Sequence, residues 1–159
     1  MNATNPSATD APQFSITRIF DAPRELVWRA WTEEAELANW LHPFGVSTDS
    51  VAFDVRVGGR YRYTMTNDET GDQFPTGGEY LEVEPIDRLV FTWGDPDAPV
   101  DGTPVITLTL IPRDERTELV FHMRGYEGKP GDGFVYDGWD EALRNFGRHL
   151  AGETLGLNS

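Results

Sequence analysis

The 159-residue sequence contains no cysteine, and this absence removes several kinds of chemistry at once. Disulfide bonds, thiolate zinc sites and a cysteine nucleophile are all excluded. Long apolar runs are missing too: no stretch of about 18 residues is hydrophobic enough for a membrane span, and the polar start lacks the features of a signal peptide. We therefore expect a soluble, cytoplasmic protein.

Positive charge is also scarce, because 13 Lys and Arg residues face 27 Asp and Glu residues, for a net charge of −14. Lys129 is the only lysine. Such a surface repels phosphate backbones and anionic lipids, so we expect neither nucleic acid nor a membrane as a partner. The acidic balance fits adaptation to high salt, but we favour the simpler explanation of an ordinary soluble protein encoded by a GC-rich genome.

The apolar content is sufficient for one core, with 38% hydrophobic and 12% aromatic residues. The length is typical of one domain. We predict a single domain over residues 14–154, with a flexible N-terminal tail at 1–13 and a C-terminal tail at 155–159. Both a monomer and a homodimer are compatible with this organisation.

Two periodicities divide the chain. From Val46 to Arg124 apolar residues alternate with polar ones in six short segments, a pattern typical of half-buried strands. From Asp132 to about Leu150 the spacing is helical, which predicts one long amphipathic helix. Because a sheet with one apolar face needs a cover, this helix is expected to pack on it.

The N-terminal region predicts one further strand and two short helices. Residues 14–20 form the strand, and Pro23 suits the first position of a helix that runs through Trp31. Thr32 is expected to cap the second helix, which ends near Trp40. The fold class is therefore α+β: a curved antiparallel sheet of about seven strands wrapped on a long C-terminal helix, with two short helices after the first strand.

One hairpin has a strong turn signal. Val55 and Val57 continue an alternating strand up to Gly58-Gly59, and two adjacent glycines favour a two-residue type I′ turn with positive φ at both positions. The next strand then begins with Tyr61.

Several strings carry a family resemblance. They are Phe20-Asp21-Ala22-Pro23-Arg24-Glu25-Leu26-Val27-Trp28, Ala30-Trp31-Thr32, Leu37 to Trp40, Asp54-Val55-Arg56-Val57-Gly58-Gly59-Arg60-Tyr61, Gly78-Glu79-Tyr80 with Pro85, Arg88-Leu89-Val90-Phe91-Thr92-Trp93 and Gly138-Trp139. In this order they resemble the START-like, helix-grip superfamily (SRPBCC, birch-pollen-allergen-like). The branch most similar is homologous to the C-terminal domain of the activator of the heat-shock-protein-90 ATPase.

The resemblance implies a helix-grip fold with an apolar pocket between the sheet and the long helix. It does not imply one activity, since members include ligand carriers, cyclases and chaperone-associated proteins. For this chain it raises the possibility of a chaperone as partner and of a role in the stress response.

Residues suited to acid–base or metal chemistry are sparse. His42, His122 and His149 are isolated in sequence, and no metal-ligand spacing or phosphate-binding motif occurs. The strand carboxylates alternate with apolar residues and should face solvent. We therefore expect no metal, no cofactor and no catalytic residue. An enzyme would require a pair of polar side chains that face the pocket, such as His42 with Asp137.

The inward positions of the strands and the long helix are rich in aromatic residues and methionine. The predicted ligand-binding residues are Tyr61, Tyr63, Met65, Phe91, Trp93, Leu108, Phe121, Met123, Trp139, Leu143 and Phe146. Trp40 and His42 are placed at the pocket mouth. Apolar walls with a few phenol and indole groups suit a ring-containing or acyl ligand, although the same residues could simply pack as core.

Three functions follow from these observations. The first is non-catalytic binding of a small hydrophobic or aromatic molecule. The second is a chaperone-associated protein-interaction module, which predicts an exposed apolar patch. The third is a polyketide cyclase or hydrolase type of enzyme.

Overall fold

The structure, a computed structural model, describes residues 12–42, 45–97, 103–132 and 135–155. Its elements, in chain order, are β1 (Gln13–Phe20), α1 (Arg24–Thr32), α2 (Glu34–Trp40), β2 (Val46–Phe53), β3 (Arg60–Asn67), β4 (Gln73–Glu84), β5 (Arg88–Thr92), β6 (Val105–Arg113), β7 (Arg116–Arg124) and α3 (Val135–Leu155). The order of elements is the one that the sequence predicts. Most residues of the two predicted tails, 1–11 and 156–159, lie outside the described ranges.

All seven strands form one antiparallel sheet in the order β1-β7-β6-β5-β4-β3-β2. Strands β2 to β7 form a meander. Strand β1 is the edge strand next to β7, where Ile16 lies opposite Phe121. Along β7 the side chains of Leu119, Phe121 and Met123 are buried, as the alternating pattern predicts. The sheet curls into a half barrel around α3, so the predicted α+β helix-grip fold is confirmed.

The long helix α3 packs on the inner face of this sheet through aromatic rings. The ring centroids of Phe121 and Trp139 are 4.8 Å apart, and those of Phe20 and Phe146 are 4.9 Å apart. Contacts of this kind add to the burial of apolar surface that holds helix and sheet together. No helix in the described ranges is long and apolar enough to cross a membrane.

The two short helices pack against α3 from the side. The rings of Trp31 and Trp40 lie 4.5 Å apart, and Trp40 contacts Phe146 at 4.7 Å. A nearly buried polar contact joins the same elements, because Nε2 of His149 lies 2.6 Å from Oε1 of Glu36. Helix α2 is thereby held close to the C-terminal half of α3.

The helix boundaries differ slightly from those predicted. Pro23 is the N-cap residue with extended backbone, so α1 begins at Arg24 rather than at the proline. Thr32 does not cap α2: it is the last residue of α1, and its hydroxyl donates to the carbonyl of Trp28 at 2.8 Å. This back-bond to the residue four positions earlier occupies the side chain that the cap would need.

The predicted two-residue turn at Gly58-Gly59 is wrong. Strand β2 ends at Phe53, so Val55 and Val57 lie in the connection and only Gly58 has a positive φ, of 83°. Gly59 is required for another reason, since a Cβ there would lie 2.1 Å from the carbonyl oxygen of Asp54. Residues 54–59 therefore form a wider loop.

Strand β4 is longer than the sequence pattern indicates. It begins at Gln73 in a stretch that reads as a polar loop, and it pairs in register with β3, where Phe74 lies opposite Met65. A β-bulge follows between Tyr80 and Glu82. The bulge shifts the alternation, so Tyr80 is buried whereas Leu81 is only half-buried.

Candidate functional site

A cavity of about 470 Å³ lies between the sheet and the first half of α3, and we call it the outer cavity. Its walls come from β2, β3 and β4, from the ends of α2, β5 and β7, and from α3. The lining residues are Leu41, His42, Val46, Tyr63, Met65, Phe74, Pro75, Thr76, Trp93, Gly94, Tyr126, Val135, Gly138, Trp139 and Ala142. Most of these side chains are apolar, which is typical of sites for small organic molecules.

The helical wall of the outer cavity is built from residues at helical spacing. Val135, Gly138, Trp139 and Ala142 recur at i, i+3, i+4 and i+7 and therefore share one face of α3. A Cβ at Gly138 would meet nothing within 4 Å, so the absence of a side chain there leaves open space. Gly138 and the small side chain of Ala142 thus leave space between this part of α3 and the sheet.

The sheet wall is built from cross-strand pairs of β3 and β4. Tyr63 lies opposite Thr76, and Met65 lies opposite Phe74, so all four side chains belong to the same side of the sheet. The indole Nε1 of Trp93 donates to the hydroxyl of Tyr63 at 3.1 Å. Burial raises the pKa of Tyr63 above its ordinary value, and the hydrogen bond from Trp93 offsets part of that increase.

A second, much smaller cavity of about 10 Å³ lies next to the first, and we call it the inner cavity. Its lining residues are Trp31, Leu37, Leu41, Phe53, Tyr61, Tyr63, Tyr80, Leu89, Phe91, Trp93 and Trp139. Leu41, Tyr63, Trp93 and Trp139 also line the outer cavity, so these side chains separate the two spaces. Burial raises the pKa of Tyr61 and of Tyr80 as well.

His42 is held at the wall of the outer cavity by α3. The side-chain amide of Asn145 donates to the carbonyl oxygen of His42 at 2.9 Å, and its nitrogen lies 3.4 Å from the ring Nδ1. The histidine ring is half-buried. It is thus a positioned polar group beside an apolar space.

The structure separates the sequence-predicted site residues into three groups. Those on the outer cavity are His42, Tyr63, Met65, Trp93 and Trp139. Tyr61 and Phe91 line the inner cavity. The buried core contains Leu108, Phe121, Met123, Leu143, Phe146 and Trp40, which line neither cavity in the described part of the chain.

Trp40 is therefore not at the cavity mouth, where the sequence pattern placed it. Its side chain is 0% exposed, and its Nε1 donates to the carbonyl oxygen of Ala30 at 3.0 Å. The turn after α2 does reach the cavity, but it does so through Leu41 and His42.

Several cavity residues lie outside the predicted set. The sequence pattern assigns a loop to the stretch that contains Phe74, Pro75 and Thr76. In the structure this stretch is the first part of β4, and Phe74 lies opposite Met65. Gly138 precedes Trp139 and carries no apolar side chain, so hydrophobic periodicity does not find it. Tyr126 follows β7 in a loop, and its ring lies 6.3 Å from that of Trp93.

The chemical groups on the outer cavity are few. Its titratable lining residues in the described ranges are His42, Tyr63 and Tyr126, without a carboxylate. Asp137 is not among the lining residues, and its Oδ1 accepts a hydrogen bond from the backbone N–H of Gly131 at 2.9 Å. Among the described residues, no three His, Asp or Glu side chains are grouped so that they could hold a metal ion.

Solved structures similar to this chain share its fold. A crystal structure of a protein from Chromobacterium violaceum is 30% identical, and the match covers 86% of this chain and 95% of that one with a TM-score of 0.74. A protein from Nitrosomonas europaea is 25% identical, with coverage of 91% and 97% and a TM-score of 0.76. The AHSA1-like protein from Aeromonas hydrophila, solved by NMR, is 23% identical, with coverage of 91% and 94% and a TM-score of 0.70.

A comparison with curated proteins finds no match. The family model described as Activator of Hsp90 ATPase homolog 1-like protein matches residues 21–151. This range includes both short helices, six of the seven strands and most of α3. The chain belongs to the family of Activator of Hsp90 ATPase homolog 1-like proteins, with the START-like, SRPBCC-type fold that its sequence resembles.

Proposed function

We propose that this chain binds one small apolar or aromatic molecule in the outer cavity and catalyses no reaction on it. The observation that carries the proposal is the mainly apolar cavity of about 470 Å³ between sheet and helix. This volume lies within the range of about 300–1,000 Å³ that is typical of small-molecule sites. Family membership supports a ligand-binding or chaperone-associated module in general terms.

The hydrogen-bonding state of the wall favours an apolar ligand. Trp93 donates to Tyr63, and the hydroxyl of Thr76 donates to the carbonyl oxygen of Phe74 at 3.3 Å, so these groups already have protein partners. Affinity then comes mainly from apolar surface removed from water, at about 25 cal/mol per Å². Met65 can adapt to the shape of the ligand, because its thioether side chain is flexible.

The wall chemistry supports binding rather than catalysis. General acid–base catalysis on a bound molecule needs positioned proton donors and acceptors within reach of it. The described lining residues of the outer cavity include no carboxylate. A cyclase or hydrolase would have to work with one imidazole and two phenols.

Native mass spectrometry of the freshly purified protein tests the proposal first. We expect a co-purifying apolar molecule, released under denaturing conditions, or else saturable binding of the neutral fluorescent probe N-phenyl-1-naphthylamine at one site per chain. A clean apo mass together with no probe binding up to its solubility limit would remove the proposal. Turnover of an extracted ligand by the protein would replace binding with catalysis.

A chaperone-associated role would need a docking surface. The large apolar side chains exposed in the described ranges are Ile19, Val57 and Phe74, at 55%, 63% and 49% exposure. They lie on β1, on the loop 54–59 and on β4, and single exposed apolar residues are common on soluble proteins. Phe74 also lines the outer cavity, so a ligand there accounts for its exposure.

A further inference from the structure

Two buried indole N–H groups lack a hydrogen-bond acceptor among the described residues. They belong to Trp31 of α1 and Trp139 of α3, which are 3% and 5% exposed. Two neighbouring indoles do have acceptors: Trp40, in the core, donates to the carbonyl oxygen of Ala30, and Trp93, on the cavity wall, donates to Tyr63. Buried donors are nearly always paired in folded proteins, so two unpaired donors in one region require an explanation.

The two tryptophans that carry the unpaired donors line the same small space. The rings of Trp31 and Trp139 are stacked, with centroids 6.4 Å apart and an angle of 18° between their planes, and both line the inner cavity. Its volume of about 10 Å³ is close to the minimum that holds one water-sized group. An oxygen atom there would be adjacent to both indoles.

The inner cavity is adjacent to the ligand site. Tyr63, Trp93 and Trp139 form part of the wall of both cavities, so a ligand in the outer cavity lies against the side chains that bound the inner one. A substituent that passes between these side chains would reach the space lined by the two tryptophans with unpaired donors. The ligand's ring or chain would remain in the larger, apolar space.

The surroundings favour a neutral acceptor over an anion. None of the described residues that line the inner cavity carries a positive charge, and a buried carboxylate without a cation is strongly disfavoured. The three tyrosines on the wall of the inner cavity support the same conclusion, because burial raises the pKa of Tyr61, Tyr63 and Tyr80. The environment therefore opposes negative charge on protein and ligand alike.

We propose that the ligand of the outer cavity is an apolar molecule with a neutral oxygen acceptor, such as a ketone, aldehyde or ester carbonyl. The oxygen of this group enters the inner cavity and accepts hydrogen bonds from Trp139 and Trp31. This inference rests on the proposed function, since it names the class of ligand for the same site. A bound water is the other source of an oxygen acceptor. The remaining alternative for Trp31 is an N–H···π contact, since its ring centroid lies 4.5 Å from that of Trp40, with 69° between the two planes.

A matched pair of probes tests the acceptor. 2-Acetylnaphthalene and 2-isopropenylnaphthalene have nearly the same shape, but only the first carries a carbonyl oxygen. We expect 2-acetylnaphthalene to bind at least about tenfold more tightly in competition with N-phenyl-1-naphthylamine, since the second probe leaves the buried donors unpaired. The anionic 2-naphthoate should bind more weakly than either.

Variants assign the preference to the two indoles. Trp139→Phe and Trp31→Phe should each reduce the preference for the carbonyl probe to less than about threefold. Trp40→Phe is the control, because it removes a buried indole of the same size that lines neither cavity. If a phenylalanine variant does not fold, 3-benzothienylalanine at the same position keeps the bicyclic ring and removes only the N–H.

Each outcome supports or overturns the inference. Equal binding of both naphthalenes, or binding of neither while N-phenyl-1-naphthylamine still binds, refutes the inference and leaves the proposed function intact. A clean apo mass together with no binding of any of these probes refutes both. A carbonyl preference that survives in both tryptophan variants means that another group on the wall donates to the ligand's oxygen, and it refutes the assignment to Trp31 and Trp139. In ¹H–¹⁵N spectra the indole N–H signals of Trp31 and Trp139 should shift with 2-acetylnaphthalene only. If these two signals instead show contact with water and do not respond to 2-acetylnaphthalene, the acceptor is a bound water and the inference is refuted.

Discussion

Replacing Gly138 by leucine should strongly weaken ligand binding and at the same time stabilise the fold. Gly138 lies in the first turns of α3 and lines the outer cavity, and a Cβ there would meet nothing within 4 Å. A side chain at this position would therefore enter the cavity without displacing a neighbour. Most substitutions that block a buried site also damage the protein, and this one should not.

The expected magnitudes follow from the helix and the cavity. Glycine within a helix is about 0.5–1 kcal/mol less favourable than a good helix former such as alanine or leucine. Partial burial of the leucine side chain against the apolar wall adds about 1 kcal/mol. The sum of about 1.5–2 kcal/mol raises the melting temperature by about 3–8 °C for a domain of this size.

Binding and stability are measured on the same samples. Titration with N-phenyl-1-naphthylamine should show at least about a tenfold loss of affinity in Gly138→Leu, because the new side chain occupies space that the ligand needs. Gly147→Ala is the matched control in the same helix. A Cβ there would lie 3.4 Å from Cε1 of Phe20, in ordinary contact, and the position does not line the described cavity wall.

Two results would refute this reasoning. Unchanged probe affinity in Gly138→Leu would mean that ligands do not occupy the outer cavity. A fall in melting temperature, with Gly147→Ala unaffected, would mean that the space beside Gly138 is not open in solution.

Three further predictions concern the tyrosine-rich part of the sheet. Tyr61→Phe removes the 2.5 Å hydrogen bond from the phenol to the carbonyl oxygen of Thr92. The unfolding free energy measured in urea titrations should therefore fall by about 1–3 kcal/mol. An unchanged unfolding free energy would show that this carbonyl oxygen has another donor. Gly78→Ala should cost about 3 kcal/mol or more, or prevent folding, because its Cβ would lie 2.1 Å from the same backbone oxygen and force β4 and β5 apart. Burial raises the pKa of Tyr61, Tyr63 and Tyr80 above the ordinary value of 10.0, so unfolded phenols lose their protons before folded ones do. Below pH 10 the unfolding free energy should not depend on the ionisation of these three tyrosines. Above pH 10 it should fall by up to about 1.4 kcal/mol per pH unit for each tyrosine. Urea midpoints that stay constant up to pH 11.5 would contradict the burial of these phenols.

The element order and the sheet-plus-helix architecture were predictable because the signals are local. Leu119, Phe121 and Met123 alternate in sequence, and side chains of a strand alternate in space whatever their neighbours are. Trp139, Leu143 and Phe146 fall on one face of any α-helix. These geometric facts do not depend on the rest of the chain, so the sequence carries them directly.

Turns and strand ends depended on partners distant in sequence. Gly58-Gly59 matches the pattern of a two-residue turn, yet the backbone N–H of Gly58 donates to the carbonyl of Tyr80, and Tyr80 donates back to Gly59. This pairing with β4 holds the loop open. Likewise, Phe74 becomes part of a strand only because β3 offers it a pairing edge.

The cavity itself was decided by tertiary structure. Strand parity identifies Phe121 and Tyr63 alike as inward, but Phe121 packs on Trp139 at 4.8 Å while Tyr63 also borders open space. The difference lies in what α3 presents to each strand: a large ring faces β7, whereas Gly138 and Ala142 contribute to the wall beside β3. The sequence alone determines which side chains point inward, and the distance between helix and sheet, set by the size of the side chains that meet across it, determines which of them surround a cavity.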